Sequence, residues 1–138
     1  STVLDLTSNP PCILRPGAVT FEQLQKILPT LSPYHHITLS SSPTSPGMQY
    51  RHYAPKAPLI LIENPATPIP AEYQNQKVAI LNLTQEKNLS DVARTLFAQL
   101  RAFDIRGVDA IIVYGVADAG LGTAIMNRLR KAASNIIS

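Results

Sequence analysis

The sequence predicts an α/β chain built around a small Rossmann-like domain, with a largely parallel sheet in three layers. Three observations carry that prediction. All twelve prolines fall between Pro10 and Pro70, which leaves residues 71–138 as an uninterrupted, proline-free half. Within it, residues 78–83 and 110–114 are short continuous apolar runs rich in β-branched side chains, the pattern of strands buried on both faces. Between and after those runs the apolar residues recur at three- and four-residue spacing. Alternating strands and helices favour parallel strands joined by right-handed crossovers.

Taken in order, Val3, Leu4 and Leu6, then Ile13 and Leu14, predict two brief strands joined by a turn at Asn9-Pro-Pro11. The turn Arg15-Pro-Gly17 follows. Thr20 and Gln23 have the spacing of a capping box and Val19 and Leu24 that of a hydrophobic staple, so a short helix is expected over residues 21–28. Two strands and one short helix cannot bury a core alone. Residues 1–31 are therefore expected to be the tail of a second α/β domain, and a chain that starts at Ser1 without Met is expected to be a fragment. Residues 32–57, rich in Ser, Pro and Thr, predict an extended linker. Residues 58–138 form the small domain: a strand over 59–62, a strand over 78–83, a helix capped by Ser90 and stopped near Gly107, and a strand over 110–114. A last helix carries Leu121, Ile125 and Leu129 on one stripe.

Composition excludes several classes. With 45% hydrophobic and 15% charged residues the 138-residue chain should fold, and it lacks a run approaching the roughly 18–20 apolar residues of a membrane span. The start has no basic segment followed by an apolar stretch, so a cytoplasmic protein without membrane association is expected. Cys12 is the single cysteine, and neither a disulfide within the chain nor a protein-bound metal is expected. A net charge of +3 names no partner, but its distribution is informative. No carboxylate lies between Glu22 and Glu63, whereas Lys26, Arg51, Lys56, His35, His36 and His52 all do. That interval could face an anion.

Candidate chemistry gathers in three places. Ser45-Pro-Gly-Met-Gln-Tyr-Arg-His-Tyr-Ala-Pro-Lys56 packs Tyr50, Arg51, His52, Tyr53 and Lys56 into a linker that has no need of them as a spacer. Arginine, lysine and tyrosine hydroxyls all suit phosphate oxygens, though the tyrosines could equally anchor the segment on a domain face. Arg15 precedes a Pro-Gly turn that aims its side chain, and Ser1 and Thr2, ahead of an alternating run, carry hydroxyls that could hydrogen-bond a ligand or simply lie at the surface. The Gly115-Val-Ala-Asp-Ala-Gly-Leu-Gly122 turn, with Gly120 and Gly122 as its lower-ranked candidates, could cradle phosphate at a helix N-terminus or simply make a tight turn. No catalytic set can be assembled by spacing, and no catalytic residue is assigned. Two other classes remain: a non-enzymatic nucleotide-binding regulatory module, and an RNA-contacting domain using Arg128, Arg130 and Lys131.

Three stretches carry a family resemblance. Ser1-Thr-Val-Leu-Asp5 with Ile13-Leu-Arg-Pro-Gly17, the linker motif of residues 45–56, and Gly120-Leu-Gly-Thr-Ala-Ile-Met-Asn-Arg-Leu-Arg-Lys-Ala133 together resemble the C-terminal part of the two-domain L-threonylcarbamoyladenylate synthases. The resemblance implies a nucleotidyltransferase of tRNA processing that joins L-threonine, bicarbonate and ATP into threonylcarbamoyl-AMP, with Mg2+ carried by the ATP. It implies that Ser1 helps hold L-threonine and that Arg15 and Tyr53 bind nucleotide, with Arg51 and His52 ranked lower. The implied partners are the rest of the catalytic domain and a downstream tRNA-modifying complex. This fragment alone is expected to be inactive, its linker and C-terminal domain gating the active site.

Overall fold

A computed structural model describes residues 1–34 and 54–138. The expected hairpin is present: β1 (Val3–Asp5) pairs antiparallel with β2 (Cys12–Arg15), and the intervening turn holds a cis Asn9–Pro10 bond. Helix α1 (Phe21–Gln25) begins with the full capping box, Thr20 accepting from Gln23 N while the Gln23 side chain accepts from Thr20 N. It ends three residues short of the predicted 21–28. Ile27 and Leu28 still turn back onto the Leu24 carbonyl, but Pro29 disfavours helical geometry at Leu28.

The second sheet is wholly parallel. Strands β3 (Leu59–Ile62), β4 (Val78–Asn82), β5 (Ala110–Tyr114) and β6 (Asn135–Ile137) lie in the order β4-β5-β3-β6. Helix α2 (Leu89–Ile105) links β4 to β5 and α3 (Leu121–Ala132) links β5 to β6. Both crossovers step in the same direction along the sheet, so a common right-handedness places both helices on one face. There Leu59, Leu61, Ile111 and Val113 pack with Val92, Leu96 and Leu100 of α2 and Ile125, Met126 and Leu129 of α3. The step from β3 to β4 runs the opposite way and covers the other face, where Ile60, Ile62, Ala110 and Ile112 lie beneath Ile69 and Tyr73. That third layer is a segment with one 3-10 turn (Ala71–Tyr73) in place of a full helix.

Two local expectations change. The cap of α2 is Asn88 rather than Ser90: its side chain accepts from Asp91 N, so the helix starts earlier. Strand β6 has no counterpart among the predicted elements. Three residues are too few to show a period, and β6 exists because β3 offers it an edge. The other end of α2 follows expectation, with Gly107 at φ 70° just past the cap.

Candidate functional site

The N-terminal pieces dock against one side of α3. Gly17 permits the closest approach inside them, since a Cβ there would sit 2.4 Å from Thr2 N. The first residues are thereby laid across the end of β2. Arg15, half-buried at that end, donates from Nε to the Ser1 carbonyl at 2.9 Å, and Thr2 Oγ1 donates to the Val19 carbonyl at 2.6 Å. Ser1 and Arg15, candidates from opposite ends of the hairpin, are thus brought together. Ser1 remains exposed.

Two hydrogen bonds fix this unit on α3. The Gly120 amide donates to Glu22 Oε1 at 3.2 Å, and Asn127 Nδ2 donates to the Tyr34 hydroxyl at 2.6 Å. Asn127 is only 2% exposed, the one buried polar side chain among the described residues. Burial pushes the Tyr34 phenol above its ordinary value. Between the two hydrogen bonds lies a cavity of about 220 Å³, bordered by Ile13, Phe21, Glu22, Tyr34, Asp118 and Thr123. Farther along α3, burial and then the neighbouring Arg15 guanidinium hold the Lys131 ammonium below its usual value.

A second cluster occupies the carboxyl ends of β3 and β5. The chain leaves β3 toward one side of the sheet and β5 toward the other, which makes this the switch point where open α/β sheets form a ligand crevice. Here it holds an arginine. Arg130 Nε reaches Glu63 Oε1 and its Nη2 reaches Asp118 Oδ2, each at 2.9 Å. Burial opposes the charge of Arg130, but these two hydrogen-bonded carboxylates outweigh it and raise its pKa. The glycine-rich turn beside it is built for closeness: a Cβ on Gly122 would lie 2.0 Å from the Ala117 carbonyl oxygen, and Gly120 has φ 57°. Gly120 and Gly122 therefore answer a demand of the turn itself. The amide that an anion would need at this helix N-terminus is already donating to Glu22.

At the far end of the linker motif, Asp104 accepts from the backbone amides of Lys56 and Ala57 at 2.8 and 3.1 Å. Arg51, His52 and Tyr53, with His35 and His36, lie outside the described residues. Sequence reasoning did not find Glu22, Tyr34, Glu63, Asp104, Asp118 or Asn127. No local pattern could have announced most of their contacts, whose partners lie 98, 93, 67 and 47 positions away for Glu22, Tyr34, Glu63 and Asp104. Among the described residues no three His, Cys, Asp or Glu side chains gather as a metal site, and no helix is long and apolar enough to cross a membrane.

Residues 19–134 match the family model described as threonylcarbamoyl-AMP synthase, C-terminal domain. Among curated proteins, the chain is similar to the threonylcarbamoyl-AMP synthase of Pyrococcus abyssi, 36% identical over 96% of this chain and 45% of that protein. It is also similar to the Bacillus subtilis threonylcarbamoyl-AMP synthase, 38% identical over 96% of this chain and 44% of that protein. Among solved structures, the crystal structure of P. abyssi Sua5 complexed with L-threonine superposes with a TM-score of 0.80 at 35% identity. That superposition covers 99% of this chain and 46% of the other. The chain spans less than half the length of these relatives.

Proposed function

The chain belongs to the family of threonylcarbamoyl-AMP synthase C-terminal domains, and from that premise we propose that it is one part of an L-threonylcarbamoyladenylate synthase. In this reading residues 1–31 close the catalytic domain, residues 32–57 are the linker and residues 58–138 are the accessory domain. The observation that carries it is the likeness to whole synthases across 96% of the chain, hairpin and linker included, which an isolated nucleotide-binding module would not need.

The reaction is adenylyl transfer. The threonine amino nitrogen bonds to the carbon of bicarbonate, and hydroxide leaves as water with an amine proton. A carbamate oxygen then attacks the α-phosphorus of ATP, and the bond to the β-phosphate breaks with its electron pair on pyrophosphate. Such chemistry depends on positioning and charge neutralisation. Ser1 contributes to the threonine pocket, and Arg15, held by its hydrogen bond to the Ser1 carbonyl, places a charge on the nucleotide phosphates. Tyr53 closes over the nucleotide from the linker, with Arg51 and His52 beside it. Mg2+ arrives on the ATP phosphates. The accessory domain grips the linker, through the Tyr34–Asn127 hydrogen bond near its start and the Asp104 carboxylate on the Lys56 amide near its end, and so gates the site. The product passes to a tRNA-modifying complex. Direct RNA contact through Arg128, Arg130 and Lys131 is less well supported, because Arg130 is engaged by Glu63 and Asp118.

The experiment is an assay of ATP- and threonine-dependent pyrophosphate release by the longer protein and by the 138-residue chain. Release by the longer form alone is expected. A longer form without threonine-dependent release overturns the assignment.

A further inference from the structure

In the turn between β5 and α3, residues 117–119 are exposed and have few ties. Before them the Val116 amide donates to Met126 Sδ at 3.4 Å, and after them the Gly122 amide donates to the Ala119 carbonyl at 2.9 Å. Between those points the tether is a side chain, Asp118 Oδ2 accepting from Arg130 Nη2 at 2.9 Å. Arg130 is held in turn by Glu63 Oε1, also at 2.9 Å, where the end of β3 donates its Glu63 amide to the Ile137 carbonyl of β6. The arginine is the enclosed member of this triad: its side chain is 12% exposed, against 29% for Glu63 and 47% for Asp118. Two positions beyond Asp118, the Gly120 amide donates to Glu22 Oε1.

A largely enclosed ion triad adds little net stability, because desolvation of its charges offsets their attraction; what it fixes is geometry. Here it fixes the turn. A glycine at φ 57° has wide backbone freedom, so the direction of the Gly120 amide depends on what holds the turn on either side. Of the two hydrogen bonds that join residues 1–34 to α3, Asn127–Tyr34 springs from the body of the helix and Gly120–Glu22 from the turn. We propose that Arg130 is a positioning residue for docking: by holding Asp118 it sets the turn that presents the Gly120 amide to Glu22, and so ties β3 to the N-terminal unit without bonding that unit itself. The switch point of the sheet thereby serves to join two pieces of chain, a role that does not depend on the synthase reading. Tyr34 offers a rival route, since after burial the charges of Arg130 and Asp118 are what its phenol feels.

The test is hydrogen exchange of the 138-residue chain, with β1 and β2 as reporters of docking and β3 and β5 as the control. Asp118→Asn, at an exposed site, and Arg130→Met should each speed exchange in β1 and β2 by about threefold to tenfold, the worth of one hydrogen bond, and leave β3 and β5 unchanged. Glu22→Ala should have an effect of the same size. Adding Asp118→Asn to Glu22→Ala should bring no further increase, because both act on one bond, whereas adding it to Tyr34→Phe should multiply the two effects. Unchanged exchange in Asp118→Asn overturns the proposal, and so does an effect that multiplies with that of Glu22→Ala. Coupling to Tyr34→Phe in place of Glu22→Ala overturns it in favour of the rival route. An effect of Asp118→Asn that Arg130→Met does not share removes the arginine from the role. A rise in β3 and β5 equal to that in β1 and β2 on Arg130→Met assigns the arginine to the stability of the sheet domain and also overturns the proposal.

Discussion

Residues 1–34 and residues 54–138 are ordered by different means. Of the apolar side chains in the first region only Ile13, Pro16 and Leu31 are buried, whereas every residue of Leu59–Ile62 in the second is fully enclosed. The first region holds its shape with hydrogen bonds: the capping box, Thr7 on Asp5, Thr2 on Val19, and Glu22 and Tyr34 on α3. A net hydrogen bond contributes about 0.5–1.5 kcal/mol, against about 1.5–3 kcal/mol for each fully buried aliphatic side chain. The sheet domain therefore has the means to be stable alone. The N-terminal unit borrows its order from α3.

The largest expected effect separates the two regions outright. Leu61→Ala, at a fully buried site in the central strand, should cost about 2–5 kcal/mol of unfolding free energy in a urea titration followed by circular dichroism. Ile13→Ala should move that transition by less than about 1 kcal/mol. Equal losses would mean that the regions unfold as one unit and would break the distinction. A smaller effect is expected at the seam. Tyr34→Phe leaves the buried Asn127 amide without its acceptor, which should cost about 1–2 kcal/mol. Hydrogen exchange should then speed up in β1 and β2 while β3 and β5 stay protected, and exchange rising equally in both would contradict the borrowed order.

The smallest effect is electrostatic and stays within the hairpin. The Thr7 hydroxyl and then its amide hold the Asp5 carboxyl below its ordinary value, so the stabilisation is present above that value and is lost as pH falls through the lowered one. Thr7→Val should raise the Asp5 pKa toward the ordinary range in an NMR titration and flatten the acid dependence of the hairpin. An unmoved pKa would show that the hydroxyl contributes nothing.

What was legible in the sequence follows the same division. The strands 59–62 and 110–114 announce themselves because burial on both faces demands an unbroken apolar run. The Thr20–Gln23 box is legible because a cap is a local device. Asn88 was obscured by Ser90, an equally good cap two positions later, and only the hydrogen bond to Asp91 N decides between them. The candidate site was legible as residue types, Ser1 and Arg15 above all. Its assembly was not, because Arg15 meets α3 through docking and Arg130 meets Glu63 across the sheet. Charge spacing along α3 grouped Arg128, Arg130 and Lys131, but the fold divides them between two faces.

The strand order also bears on synthesis. Strand β3 is the first of its sheet to leave the ribosome, and both of its neighbours, β5 and β6, are made later. Leu59–Ile62 must therefore wait, wholly apolar, with both edges open until Ala110–Tyr114 has been added and with one still open until Asn135–Ile137 follows. Vectorial folding cannot complete this sheet from its beginning, and a nascent chain stalled before β6 would present its most adhesive segment to chaperones or to other chains.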